Sequence, residues 1–518
     1  MGSSPSYRTT LAWILAAGLG LRLVLALIMP PGYDESYYLF YGQNPALSYF
    51  DHPLAVGVWA GLGHGLSALL PGDPVLALRI PGLLSYTLAL ALLAEATRTW
   101  FGGRAGLLAA AVASLSPLLL ACGGLLLLPD SPLVLVLSVL LWWLSRHPLH
   151  GSRTRLESLS FGLILGLLTL CKYHALLLIL SLVGLRLLQS VQTQTLRWRD
   201  TGLVWLGWLG GSAPLWIWNL HNGWASFAFH SARTATAGGY RFDGPPLFLL
   251  SQLGLLFPTL GILLLLSLGQ KPGPDARQAE AITMLRWLAI PQLVAFLVLA
   301  GRMQVLSSWL VPAWWLLVPL GGRWLASSPG PRGLWFQVLR WGTVVSVPLL
   351  SLVAAAHVRW GVAGALLPPA LDTSGQLMTP QALRQALRQN PNLWRALSEA
   401  QIIASNRYEL PGFLALALQG YSPAQYTTYS LDSRGFDQWR VRLNPQARRG
   451  VLFAVVGDYN PVTSLRQPLA QGLGWMVPEL TPLGEITVKR SGQPAAVLEF
   501  YAFDPSRVQH QLPPRPSQ

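Results

Sequence analysis

Residues 9–38 read TTLAWILAAGLGLRLVLALIMPPGYDESYY, an apolar run followed at once by the carboxylates Asp34 and Glu35. The run is long enough to cross a hydrocarbon core of about 30 Å. Carboxylates are expensive near a bilayer, so a pair held there is a functional-site candidate by default. A second polar knot, Tyr49-Phe50-Asp51-His52-Pro53, follows closely. The two together suggest an acidic reaction centre at a membrane surface. No A-x-A-like cleavage site follows the first run, which therefore reads as a retained helix.

Working outward, apolar runs recur near 9–29, 76–97, 105–122, 125–145, 158–171, 173–190, 201–219, 247–268, 282–300, 305–321 and 336–356. A mean hydropathy of +0.42, 22 Trp and 11% charged residues agree with a polytopic membrane protein. The expected fold is thus an α-helical bundle of about eleven to thirteen crossings. The sequence changes character near His357, where membrane-length runs stop. Gln381 to Ala400 reads as one amphipathic helix with Leu383, Leu387, Leu393 and Leu397 on one face. Strand-like runs follow at 401–404, 425–429, 450–456 and 495–501. The expected domains are residues 1–356 in the membrane, 357–510 as a small α/β or α+β module, and a disordered tail at 511–518.

The formal net charge of +15 comes from 33 Arg and 3 Lys against 21 acidic residues. The arginines fall in alternate short loops, among them Arg98, Arg104, Arg146, Arg153, Arg155, Arg199, Arg277 and Arg323. By the positive-inside rule those loops, and the amino terminus with Arg8, are cytoplasmic. Basic residues spread over many loops form no stripe for nucleic acid. The opposite loops hold Asp34, Glu35, Asp51, His52, Asp130, Lys172, His174, His221, His230 and Arg302, so the unusual polar residues share one outer face. The soluble module is external by the same count. Cys122 and Cys171 fall at outer helix ends, where helix packing is favoured over a disulfide.

Each of these groups has a chemical reading. Aromatic residues including Tyr38 surround Asp34 and Glu35 at interfacial depth, where a carboxylate can act as general base toward an acceptor hydroxyl or amine. Pro53 forces His52 into an extended conformation, off any helix, and Asp51 with His52 could meet a phosphate or an ion. Asp130 lies between Pro129 and Pro132, after an apolar stretch where a stray carboxylate is costly. Lys172, in Cys171-Lys172-Tyr173-His174, sits between two apolar runs, placed either to snorkel or to meet a lipid-linked phosphate. Residues 221–230 read as an interfacial amphipathic helix with His221 and His230 as anchors. Arg302 is an outer-face cation suited to an anion. Walker, Gly-rich phosphate-loop and cysteine metal spacings are absent from the sequence.

In order and sidedness, Asp34-Glu35, Tyr49-Phe50-Asp51-His52-Pro53, Pro129-Asp130, Lys172-Tyr173 and Asn222 to Phe229 resemble the polytopic GT-C glycosyltransferases. The similar branch is the bacterial one related to protein O-mannosyltransferases and the lipid A aminoarabinose transferase. The resemblance covers about residues 9–320. Ser405-Asn406-Arg407-Tyr408-Glu409-Leu410 and Phe436-Asp437-Gln438-Trp439 resemble the periplasmic domain of the same branch. It implies a polyprenyl-phosphate-sugar donor and inverting transfer to a lipid, glycan or protein acceptor at the periplasmic face of a bacterial inner membrane. By the same resemblance Asp34 matches the catalytic acidic position, Asp51-His52 an acidic-basic pair and Lys172 a donor-phosphate contact; with the chemical readings above, Asp34, Glu35 and Asp130 are the catalytic candidates. Asp51, His52, Lys172, Tyr173, His174, Arg302 and Tyr38 are substrate-binding ones. A divalent ion such as magnesium or manganese could bridge carboxylate and phosphate, though nothing in the spacing requires it. This chain has Pro53-Leu54 where the family commonly shows a double proline, His52 where aminoarabinose transferases use lysine, and Ser36 and Tyr37 where they carry an arginine. Those departures argue against aminoarabinose as the sugar. The rival reading, a transporter or lipid flippase, calls for midplane charges and internal repeats, neither of which the sequence displays.

Overall fold

The computed structural model describes residues 6–69, 72–148, 153–193, 198–235, 239–327, 334–364, 372, 374, 377–430, 432–456, 475–477, 479–490 and 493–510. The tail expected to be disordered, 511–518, lies outside them. Two compact units divide the chain, one of Met1–Leu27, Pro45–Gly63 and Arg79–Leu352, the other of Ile28–Asn44, His64–Leu78 and Val353–Gln518.

Helices fill the expected apolar runs. They are α1 (Tyr7–Ile28), α2 (Tyr33–Gln43), α3 (Leu54–Leu69), α4 (Pro74–Phe101), α5 (Gly103–Leu115), α6 (Pro117–Leu125), α7 (Asp130–Arg146), α8 (Arg155–Cys171) and α9 (Ala175–Thr193). Then come α10 (Trp198–His221), α11 (Ala225–Ala235), α12 (Gly244–Leu256), α13 (Pro258–Ser267), α14 (Ala276–Ala300), α15 (Val311–Ser327) and α16 (Leu334–Trp360). Among the described residues four are long and apolar enough to cross a membrane, or six if two bent pairs are each one span. The bends have local causes. α5 and α6 meet at 72° across Ser116-Pro117, and α12 and α13 at 112° across Phe257-Pro258, where Phe257 adopts a φ of 74°. α3, not foreseen, is a 16-residue helix whose glycines and His64 interrupt its apolar run.

Two features hold the helical unit together. Every residue of α15 from Val311 to Gly322 is buried, and its two central indoles are satisfied inside the core. Trp314 Nε1 donates to Gln252 at 2.9 Å and Trp315 Nε1 to the Ser138 hydroxyl at 3.0 Å. Secondly, α8 and α10 approach backbone to backbone through Gly162 and Gly166 on one helix and Gly207 and Gly211 on the other. A Cβ at Gly162 would lie 2.1 Å from the Val204 carbonyl oxygen, the close approach that small residues at four-residue spacing permit. Cys122 and Cys171 are not bonded to one another.

In the second unit a five-stranded sheet has the order β2-β1-β3-β6-β5. Its strands are β1 (Ile402–Ser405), β2 (Gln425–Thr428), β3 (Gly450–Val456), β5 (Thr481–Arg490) and β6 (Gln493–Phe503); β4 (Trp475–Met476) pairs with β7 (Gln509–His510) separately. β1 runs parallel to β2 and β3, and the other pairs are antiparallel. The four leucines of the amphipathic pattern do share one core, with Phe413, Phe453 and Phe500. The single helix expected over 381–400 is two, α17 (Pro380–Arg388) and α18 (Pro391–Glu399). Pro391 removes a helix donor, and the Asn390 side chain accepts from Leu393 N at 3.2 Å to cap a new start. α19 (Pro411–Ala417) and α20 (Phe436–Trp439) complete this unit.

A buried ion network ties the end of α16 to β5. Asp372 pairs with Arg490 and lies 3.3 Å from His357 Nε2. Burial pushes its carboxyl up, but hydrogen bonds from Ser374 and Arg490 and the nearby charges outweigh that and hold it below the usual carboxylate range. A carboxyl depressed by folding stabilises the fold above its unfolded pKa, and that stabilisation is lost as pH falls through the depressed value. Asp372→Asn is expected to cost about 1–3 kcal/mol at neutral pH. It should also flatten the loss of stability below about pH 4, as thermal melts between pH 7 and pH 3 would show.

Candidate active site

In the helical unit, Lys172 occupies the three-residue turn between α8 and α9, in an extended conformation (φ −160°, ψ 139°) that ends α8. Its ammonium donates to both oxygens of Asp130, the first residue of α7, at 2.9 Å each, and to the Ser308 carbonyl at 3.3 Å. The two side chains are 5% and 2% exposed. Each is the other's solution to burial: alone, either charge would carry a desolvation cost of several kcal/mol. The stray carboxylate and the isolated lysine noted in the sequence are therefore one feature.

A second polar cluster adjoins it through Tyr173. The Ser48–Pro53 stretch closes on itself, Tyr49 N donating to His52 O at 3.0 Å and Ser48 bridging to Pro53. α11 braces this turn: the Ser226 hydroxyl donates to the Tyr49 carbonyl at 3.0 Å, and His230 Nε2 lies 3.1 Å from the Asp51 carbonyl. The Tyr173 ring stands 4.8 Å from His230 and 5.6 Å from Phe227. Its hydroxyl faces Ser226, Asn219 and Ser48, within electrostatic reach of Asp51. Asp51 is buried and His52 half-buried. Gly57, on α3, leaves room for the Tyr49 ring, which a Cβ there would meet at 2.2 Å. Gly57→Ala is expected to displace the ring and its turn at about 1–3 kcal/mol, read as a lower melting temperature in detergent.

His174 is packed between the rings of Phe296, 5.0 Å away, and Trp309, 4.7 Å away. Arg302 is exposed just past α14. His230, expected as an interface anchor, supports the Asp51 turn, while Ser226, Asn219 and the Ser308 carbonyl were not singled out at all. Serines beside aromatic residues in a polar turn carry little signal in a sequence, and a backbone carbonyl carries none. Arg22, concealed in the first apolar run, is fully buried, with its guanidinium 4.8 Å from the Tyr86 ring centroid and donating to Thr87 at 2.7 Å.

Asp34, Glu35 and Tyr38 lie on α2, in the other unit. Glu35 is buried, and its Oε2 accepts from Gly32 N at 2.9 Å, capping the helix whose first turn also carries Asp34. α2 is seated by the two segments that resembled a periplasmic domain. The Tyr37 hydroxyl accepts from Gly435 N at 2.9 Å, its ring meets those of Tyr408, Phe436 and Trp439, and Tyr33 stands edge-on to Phe413. A Cβ on Gly412 would come within 2.0 Å of the Ser36 carbonyl oxygen. The tyrosines Tyr37, Tyr38 and Tyr41 pack on one another. The first carboxylate pair thus divides its labour, Glu35 holding the helix start and Asp34 half-buried beside it.

Among the described residues, no three His, Cys, Asp or Glu side chains are grouped to hold a metal ion.

The described residues thus combine a many-helix bundle, a buried lysine–carboxylate pair and an Asp-His turn with a small sheet domain. Residues 51–218 match the model of the dolichyl-phosphate-mannose-protein mannosyltransferase family. The structure is similar to that of ArnT from Cupriavidus metallidurans bound to undecaprenyl phosphate, with a TM-score of 0.63 at 18% identity over 95% of this chain and 97% of that one. The apo form of the same ArnT gives 0.60 at 16% identity with the same coverage. No curated protein sequence matches the chain. The family match and the shared fold support a glycosyltransferase of the GT-C superfamily related to ArnT and the protein mannosyltransferases, the class that the sequence motifs implied.

Proposed function

We propose that this protein transfers a sugar from a polyprenyl-phosphate donor to an acceptor at the periplasmic face of a bacterial inner membrane, with inversion at the anomeric carbon. The observation that carries the reading is the match over residues 51–218, which span Asp51, His52, Asp130 and Lys172. The undecaprenyl phosphate bound by the structurally similar ArnT supports a lipid phosphate as leaving group. The one-sided arginine distribution supports the orientation.

The chemistry asks for cations that receive the phosphate as its bond to the sugar breaks, and for a base that takes the acceptor's proton. His52 and Arg302 are cation candidates beside Lys172. Lys172 starts as half of a neutral pair, so it receives phosphate charge by sharing its ammonium between Asp130 and the donor. Asp34 is assigned as the base from its place in the motif, with Glu35 fixing its helix. Asp51, Tyr173, His174 and Tyr38 line or support substrate.

The test is transfer in proteoliposomes from a radiolabelled polyprenyl-phosphate-hexose to extracted membrane acceptors. Label should move from the lipid donor and not from a sugar nucleotide supplied alone. Equal labelling with and without the protein across several donor sugars would refute the reading.

A further inference from the structure

The polar groups described above sit at the end of α8, the start of α9 and the end of α10. The opposite ends of the same three helices bound a groove with a cavity volume of about 90 Å³, open to its surroundings and lined by Arg153, Arg186 and Asp200 and by apolar side chains including Phe161, Val183 and Trp205. Arg153 is held flat against aromatic rings, its guanidinium 4.6 Å from the centroid of Phe161 and 5.0 Å from that of Trp143. Its Nε and Nη2 are buried without an acceptor, and Oδ2 of Asp200 is buried without a donor. Burial and the like charge of Arg186 push the Arg153 pKa below the usual arginine range, while Glu157, Asp200 and Glu280 act the other way.

Unmet donors and an unmet acceptor beside an apolar groove ask for a ligand carrying both signs of charge and a hydrocarbon tail. The three acids offset the two arginines, so the groove is no bare cationic patch of the kind that selects an anionic headgroup. We propose that the groove binds a phospholipid with a phosphoethanolamine headgroup. Its phosphate accepts from Arg153, with Arg186 adding charge, its ammonium donates to Asp200, and one acyl chain lies along Phe161, Val183 and Trp205. This lipid site is separate from the candidate active site, being set at the far end of the same helices.

Native mass spectrometry of the delipidated full chain, given phosphatidylethanolamine, phosphatidylcholine or phosphatidylglycerol of one acyl composition, tests it. Wild type should retain one phosphatidylethanolamine in preference to the others. Arg153→Gln should lower retention by about tenfold, the worth of a charge-assisted hydrogen bond, and Asp200→Asn should erase the preference over phosphatidylglycerol. Val183→Trp fills the groove without touching a charge and should lower retention of all three. Melting temperature and monodispersity identify variants that fold. No retained lipid in wild type, undiminished retention in folded Arg153→Gln, or an unchanged headgroup preference in Asp200→Asn would each overturn the proposal.

Discussion

Asp34→Asn is expected to lower sugar transfer by about 10²- to 10⁴-fold, the range over which a positioned general base contributes, while leaving the melting temperature nearly unchanged. Asp34 lies half-buried in the first turn of α2, and asparagine keeps its size and an acceptor oxygen there. The neighbouring carboxylate should behave in the opposite way. Glu35→Ala removes the acceptor for Gly32 N and should cost about 1 kcal/mol, as lost helix caps do. Glu35→Gln keeps an acceptor oxygen and should retain both fold and most transfer. Side-by-side rates and melts of Asp34→Asn and Glu35→Gln therefore separate the chemical carboxylate from the structural one. Equal loss of transfer in both would assign the chemistry to the pair.

The largest stability effect belongs to the other buried charge pair. Asp130→Ala strands the Lys172 ammonium, which is 5% exposed, and should destabilise the helical unit by about 3–5 kcal/mol. Lys172→Met strands Asp130 and should cost a similar amount. Replacing both groups at once, Asp130→Asn with Lys172→Met, removes the uncompensated charge, so the double variant should be more stable than either single one, in line with a coupled pair. Its activity then carries the functional information. Since the account gives Lys172 a share of the donor phosphate, the double variant should fold and yet transfer poorly. A double variant with wild-type transfer would reduce the pair to a structural bolt.

Local patterns in the sequence were informative wherever one element alone settles the answer. The apolar runs became helices because their length and composition leave little else to do with them, and Leu383, Leu387, Leu393 and Leu397 became one core face because their spacing is helical. Lys172 stood out because only a short turn separates the runs around it. What the sequence withheld is pairing at a distance. Asp130 and Lys172 are 42 residues apart, and their chemistry reads differently as two groups than as one neutral pair. The role of Glu35 depends on the hydrogen position of a glycine, and the seat of α2 on residues almost 400 positions away, as the Gly435 contact to Tyr37 illustrates. The break at Asn390-Pro391 was, by contrast, readable: an asparagine before a proline ends one helix and caps the next. Periodicity of the leucines on either side masked it.

The central claim is that a lipid phosphate leaves as a sugar is passed on. It is tested most directly by quantifying both products in proteoliposomes that contain purified protein, a polyprenyl-phosphate-hexose and membrane acceptors. The account predicts one polyprenyl phosphate released for each sugar transferred, with both signals lost together in Asp34→Asn. Sugar transfer from a nucleotide donor without release of polyprenyl phosphate, or donor lipid crossing the bilayer intact, would contradict it.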